Sequence, residues 1–132
     1  MRIVVDTNIF LSTALKQGSL PGIALYQATQ HNTLLKSAAT AAQFFEVIAR
    51  PYVAPLIRPE TRDWITLLMT SAELVTITEY IAACRDPTDD KFLELANGYA
   101  DLILTGDRDL LVLNPFRGIP IVAPATFAKA TH

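Results

Sequence analysis

The sequence predicts an α/β fold, a three-layer α/β/α sandwich around a small, mainly parallel five-stranded sheet. Three observations carry this. Five short apolar runs alternate with helical or turn sequence along the chain. The first and fourth, Ile3–Val5 and Leu102–Leu104, are continuously apolar rather than alternating, as expected of strands buried on both faces of a parallel sheet. A length of 132 residues suits a single domain, 1–132, with one sizeable core.

Strand Ile3–Val5 runs into a short helix over Asn8–Leu15. Ser19 is placed to cap a second helix, Pro21–Gln30, with Pro21 in the first turn, where its missing N–H is tolerated. A second strand, Thr33–Leu35, precedes a helix over Ala39–Arg50, which ends at Pro51 because proline cannot continue it. The stretch Arg50–Glu60 holds Pro51, Pro55 and Pro59 and reads as a loop between helices. Glu60–Ser71 is the next helix and Leu74–Ile77 the third strand. A helix over Asp90–Tyr99 carries Gly98 near its end as a stop signal. Leu102–Leu104 and Ile119–Val122 complete the strands, and Pro124–Lys129 forms a last short helix.

Apolar residues at 51% and charged residues at 18% argue against disorder. The net charge of −2 provides no overall basic footprint for nucleic acid. Any phosphate-bearing substrate must then be held by a local basic patch or by bound cations. The single cysteine, Cys84, excludes an intramolecular disulfide and a cysteine-based zinc site, and reads as a small buried apolar residue. The apolar run in Met1-Arg2-Ile3-Val4-Val5-Asp6 is too short for a signal peptide, and no segment has the length of a membrane span. A cytoplasmic protein with no membrane partner is expected.

Val4-Val5 runs into Asp6-Thr7-Asn8, and Ile103-Leu104 into Thr105-Gly106-Asp107. In an open parallel sheet, ligands bind in the crevice outside the carboxyl ends of the strands. An acid directly after each of two buried strands would place both in that crevice, although each Asp also suits the N-cap of a following helix. Glu46 is isolated in a nearly apolar helical stretch rich in alanine. It either pairs on the surface with Arg50 at i+4 or sits partly buried and in need of a cation. Asp86-Pro87-Thr88-Asp89 resembles a type I turn, and Asp89 or Thr88 suits the N-cap of the following helix. Asp90 then projects from the first turn with Glu94 along the same face, while Asp86 and Asp89 read as ordinary helix-start acids.

Carboxylates converging on one crevice repel one another unless a cation lies between them. Hard oxygen donors without Cys or His suit Mg²⁺ or Mn²⁺ rather than zinc. His31 and His132 read as solvated residues. An acid-only site of this type suits phosphodiester hydrolysis.

Together, Val5-Asp6-Thr7-Asn8, the isolated Glu46, Asp89-Asp90-Lys91-Phe92-Leu93-Glu94, and Ala100-Asp101-Leu102-Ile103-Leu104-Thr105-Gly106-Asp107-Arg108-Asp109-Leu110 resemble the PIN domain. The likeness spans residues 1 to about 125 and is nearest to the VapC-like proteins regarded as toxins of type II toxin–antitoxin systems. The resemblance implies an endoribonuclease dependent on Mg²⁺ or Mn²⁺, an RNA substrate, a cognate antitoxin, and a homodimer or higher homo-oligomer. By position it implies catalytic and metal-ligating roles for Asp6, Glu46, Asp90 and Asp107. Asp109 matches an additional acid, and Thr7, Asn8 and Thr105 match small polar residues that orient the acids or bridge waters. Arg50, Arg85, Lys91 and Arg108 neighbour the acid motifs and are candidate phosphate contacts, or simply balance nearby charge.

Two other readings stay open. An aspartate-nucleophile phosphatase also begins with Asp after a first strand, but it wants a second acid where this chain has Asn8, and a late catalytic Lys that is not evident. A catalytically silent PIN-like binding protein is the other. Leu56, Ile57, Trp64, Leu67, Leu68 and Met69 suit a partner surface, although a helix of this kind more often covers the sheet.

Overall fold

Five strands pair into one sheet in the computed structural model, which describes residues 1–130: β1 (Arg2–Val5), β2 (Thr33–Lys36), β3 (Glu73–Leu74), β4 (Leu102–Leu104) and β5 (Ile121–Val122). Their order is β3-β2-β1-β4-β5, and every pairing is parallel. In register, Val4 faces Ile103 and Val5 faces Leu104, so the two continuously apolar runs lie side by side at the centre. His132 lies outside the described residues; His31 is exposed.

Seven helices cover the sheet: α1 (Thr7–Leu15), α2 (Leu20–Thr29), α3 (Ala38–Ile48), α4 (Pro59–Ser71), α5 (Asp90–Ala96), α6 (Arg108–Leu111) and α7 (Pro124–Ala130). Local chemistry sets their starts. The Ser19 hydroxyl accepts from the Gly22 N–H of α2, and Ser37 and Thr40 form a reciprocal capping box on α3.

Alternation along the strands assigns the layers. Ile3, Val5 and Leu104 pack with Phe10, Leu25, Phe44, Ile65 and Phe127 from α1, α2, α3, α4 and α7. Val4, Ile103 and Ile121 pack the other way, with Phe92, Leu93, Leu95 and Leu110 from α5 and α6. The result is the three-layer sandwich, with Ile3, Val4, Ile103 and Leu104 wholly buried. Burial of this kind contributes roughly 1.5–3 kcal/mol for each large aliphatic side chain.

Several elements depart from the sequence pattern. The third strand extends only over Glu73–Leu74, with Val75 donating a last hydrogen bond to the Lys36 carbonyl. β2 ends there because Ser37 already opens α3, so residues beyond Val75 have no ladder to join. Ile119 pairs back with Phe116 across Arg117 and Gly118, both at positive φ, which leaves only Ile121–Val122 for β5. α5 stops at Ala96, short of Gly98, whose φ is +81°. The prolines of the Arg50–Glu60 connection fold it into a single 3-10 turn, Ala54–Leu56, rather than leaving it formless. Of the apolar residues near α4, Ile57 and Met69 join the core, while Leu56 and Leu67 remain exposed. Among the described residues, no helix is long and apolar enough to cross a membrane.

Candidate metal centre

β2 and β3 extend from one side of β1, and β4 and β5 continue on the other, so the chain order reverses between β1 and β4. Ligand sites of open α/β sheets form at this switch, outside the strand carboxyl ends. Asp6 directly follows β1, and Thr105-Gly106-Asp107 directly follows β4.

Helix capping and site placement prove compatible. Asp6 caps α1 by accepting the Asn8 N–H on Oδ1 at 3.1 Å, and its Oδ2 accepts the Thr105 hydroxyl at 2.7 Å. That hydroxyl also accepts the Asp107 N–H at 3.0 Å, so Thr105 ties the two strand ends together. Asp107 in turn caps α6, accepting the Asp109 N–H at 2.9 Å. Asp6 is buried, and burial pushes its carboxyl above the ordinary range; the Thr105 and Asn8 bonds oppose this, while the charge of Asp107 adds to it. Lys91, half-buried, lies close enough to favour the charged forms of Asp6 and Asp86.

The acids of the Asp86–Asp90 run divide their work. Asp86 accepts from the backbone N–H and the hydroxyl of Thr88, at 3.0 and 2.8 Å, and closes a 3-10 turn over Pro87–Asp89. Because Asp86 serves that turn, Asp89 makes no side-chain capping bond and faces the strand ends. Asp89, Asp107 and Asp109 each offer a carboxylate oxygen, all within 4.8 Å of one another. Burial pushes Asp89 up to about 7, and a shared hydrogen bond with Asp107 and the charges of Asp107 and Asp6 contribute further.

Asp90 is not one of these three acids. Its Oδ1 accepts the backbone N–H groups of Ala83 and Cys84 at 3.1 and 2.8 Å. Burial alone would raise its pKa, but those amides outweigh burial and hold the carboxyl below its ordinary range. The three-acid group therefore contains the neighbouring Asp89, while Asp90 anchors the loop before α5 through Oδ1. Cys84 is half-buried next to Asp90, and burial together with that carboxylate pushes its thiol up to about 12.

Glu46 also stands apart from the three-acid group. It is exposed and held by Arg50 in a bidentate pair, with Nε to Oε1 at 3.0 Å and Nη2 to Oε2 at 2.9 Å, the surface arrangement anticipated at i+4. Arg50 holds its carboxyl below the ordinary range. One turn earlier on α3, Gln43 accepts the Thr7 hydroxyl at 2.6 Å, so this face of the helix touches the residue next to Asp6. Of the basic candidates, Arg50 is engaged by Glu46, and Arg85 lies 3.7 Å from Asp109 with its side chain mostly in solvent. Arg108 is exposed, and Asn8 is exposed beside Asp6.

Close carboxylates with no His or Cys among them form a hard, anionic donor set that fits a divalent cation such as Mg²⁺ or Mn²⁺. The Asp89 carboxyl is raised first by burial and then by its hydrogen bond to Asp107 and the neighbouring like charges, which a bound cation would offset.

A model of the PIN domain matches residues 2–109. The chain belongs to the PIN domain family. The matched span of this PIN domain takes in the acids after β1 and β4 and ends at Asp109. PIN domains are typically metal-dependent nucleases, and here a cluster of acidic residues stands at the carboxyl ends of the central strands. The PIN chain is also 25% identical over 119 residues, 86% of its length, to an uncharacterized protein of Methanocaldococcus jannaschii, of which the match covers 75%.

Proposed function

We propose that this PIN domain is an endoribonuclease, dependent on Mg²⁺ or Mn²⁺, that hydrolyses RNA phosphodiester bonds. One observation carries the reading: carboxylate oxygens of Asp89, Asp107 and Asp109 lie within 4.8 Å of one another beside Asp6, at the switch point of a PIN fold. Asp89, Asp107 and Asp109 would hold the cation, with Asp6 next to them. When bound, a divalent cation supplies Lewis-acid polarisation of the phosphodiester and makes an attacking water more acidic.

The chain's own residues do the rest. Thr105 and the Asn8 N–H fix the orientation of Asp6, and Thr105 couples that orientation to the Asp107 backbone. Lys91 offsets part of the anionic charge. Glu46 completes the acidic set if Arg50 exchanges its carboxylate for a substrate phosphate. Asp90 acts as a positioning residue by holding the loop that leads to Asp89. Arg85 and Arg108 are available to phosphates at the rim.

The VapC-like resemblance supports a toxin role with a cognate antitoxin. Leu20, Ile23 and Tyr26 of α2 are exposed, and Tyr26 stands against Trp64 of α4, an apolar surface that favours a homodimer.

The test is cleavage of a labelled single-stranded RNA by the purified protein with Mn²⁺, with EDTA, and with the variants Asp89→Asn and Asp107→Asn. Cleavage should require metal and fall at least 100-fold in each variant, a loss typical of removing one electrostatic contributor, while the circular dichroism spectrum is unchanged. Undiminished hydrolysis in both variants overturns the assignment. Metal binding without any cleavage would favour the silent binding protein.

A further inference from the structure

On the side of Asp107 away from α5, a groove of about 540 Å³ opens beside the acidic cluster. Asn8, Ile9 and Ser12 of α1, Pro21 of α2, Arg108 of α6 and Pro124 of α7 line it, and Asp107 belongs both to its wall and to the cluster. We infer that this groove seats the single unpaired ribonucleotide that flanks the scissile phosphate, with Arg108 holding its phosphate and Asn8 and Ser12 facing its polar edge. The inference rests on the nuclease reading and adds to it where the strand lies and which residues hold it.

Four features support it. The volume lies within the range of pockets that enclose a small molecule, so it suits one nucleotide rather than a helix. Asn8 and Ser12, four residues apart on α1, share a face and offer an amide and a hydroxyl for hydrogen bonds to a base or ribose. Ile9, Pro21 and Pro124 supply apolar contact for the ring. Arg108 makes no ion pair with an acid among the described residues, in contrast to Arg2, Arg50, Arg85 and Arg117. On a chain with net charge −2, an uncommitted guanidinium bordering the acids is a place where an anionic strand gains attraction. In duplex RNA the bases are stacked inward and the deep major groove is closed to side chains, so only an unpaired nucleotide can enter.

The experiment uses fluorescence anisotropy with a single-stranded phosphorothioate RNA octamer, and reads the Mn²⁺-induced rise in Tm of each protein in parallel. Ser12→Trp, which fills the groove, should weaken binding by about ten-fold or more, an effect of the size expected for lost stacking and edge contacts. Arg108→Ala should weaken it by about five-fold and lower the slope of log Kd against log salt by about one. Both variants should keep the Mn²⁺-induced rise in Tm, and the same octamer in a duplex should bind more weakly to the wild type. Wild-type affinity in Ser12→Trp or Arg108→Ala, or equal affinity for duplex and single strand, overturns the groove while leaving the metal centre standing. A wild type with no Mn²⁺-induced rise overturns the nuclease reading, and the groove assignment with it.

Discussion

Two adjacent acids with different partners, Asp89 beside Asp107 and Asp90 on two backbone amides, make a sharp test. Replacing Asp90 by Ala removes the acceptor for the Ala83 and Cys84 amides, which it holds at 3.1 and 2.8 Å. Hydrogen bonds to a charged group contribute about 1.5–3 kcal/mol each, and water can partly replace the lost acceptor at this half-exposed loop, so the expected loss is about 2–3 kcal/mol. In a domain of this size that lowers Tm by roughly 6–15 °C. Asp89→Ala breaks no capping bond and removes one of three crowded charges, so the metal-free Tm should hold or rise. Adding Mn²⁺ at about 100 times its Kd should stabilise the wild type by about 2.7 kcal/mol. Asp89→Ala should lose that gain. Asp90→Asn, whose amide oxygen still accepts both N–H groups, should keep most of it. Differential scanning fluorimetry with and without Mn²⁺ reads all of these together. A full metal response in Asp89→Ala, combined with none in a well-folded Asp90→Asn, would refute the division of labour argued for these residues.

Three further outcomes are expected. Asp89 titrates near 7 in the fold against 3.8 ordinarily, so the folded state binds more protons than the unfolded one between those values. The metal-free protein should therefore lose stability as pH rises from about 4 to about 7, and urea titrations of Asp89→Asn should show a flatter profile. Phe92→Ala empties a site only 1% exposed under α5 and should cost about 3–5 kcal/mol in urea denaturation. Gly22→Ala would bring a Cβ to 2.1 Å from the Gln17 carbonyl oxygen at the start of α2, so a loss of at least about 1–3 kcal/mol should appear in the same assay.

Asp6 and Asp107 could be placed from sequence because a single local rule positions them: each is at the first turn after a buried, wholly apolar strand. Their capping bonds are part of that placement rather than an alternative to it. The helix start at Ser19 was legible for the same reason, since a cap is made by residues within one turn, whereas the Ser37–Thr40 box was found only in the structure. β3 and β5 were overestimated because strand length depends on where the neighbour stops, and β2 stops at Lys36. α6 has four residues and is held by the Asp107 cap and the burial of Leu110, too short for any periodic pattern to announce.

By itself, then, the sequence determined an alternating α/β chain whose two central strands each deliver an acid to the same end of the sheet. Backbone periodicity and the character of the residue after each strand suffice for that. Which donors hold the carboxylates of Asp89, Asp90 and Glu46 was visible only in the tertiary structure. These pairings depend on competing donors a few residues away whose orientation the folded backbone sets: the Ala83 and Cys84 amides bound to Asp90, the Thr88 N–H and hydroxyl bound to Asp86, and the Arg50 guanidinium, one of the two sequence alternatives for Glu46. A carboxylate settles where the best-aligned donors are, and only the assembled fold brings those donors within reach.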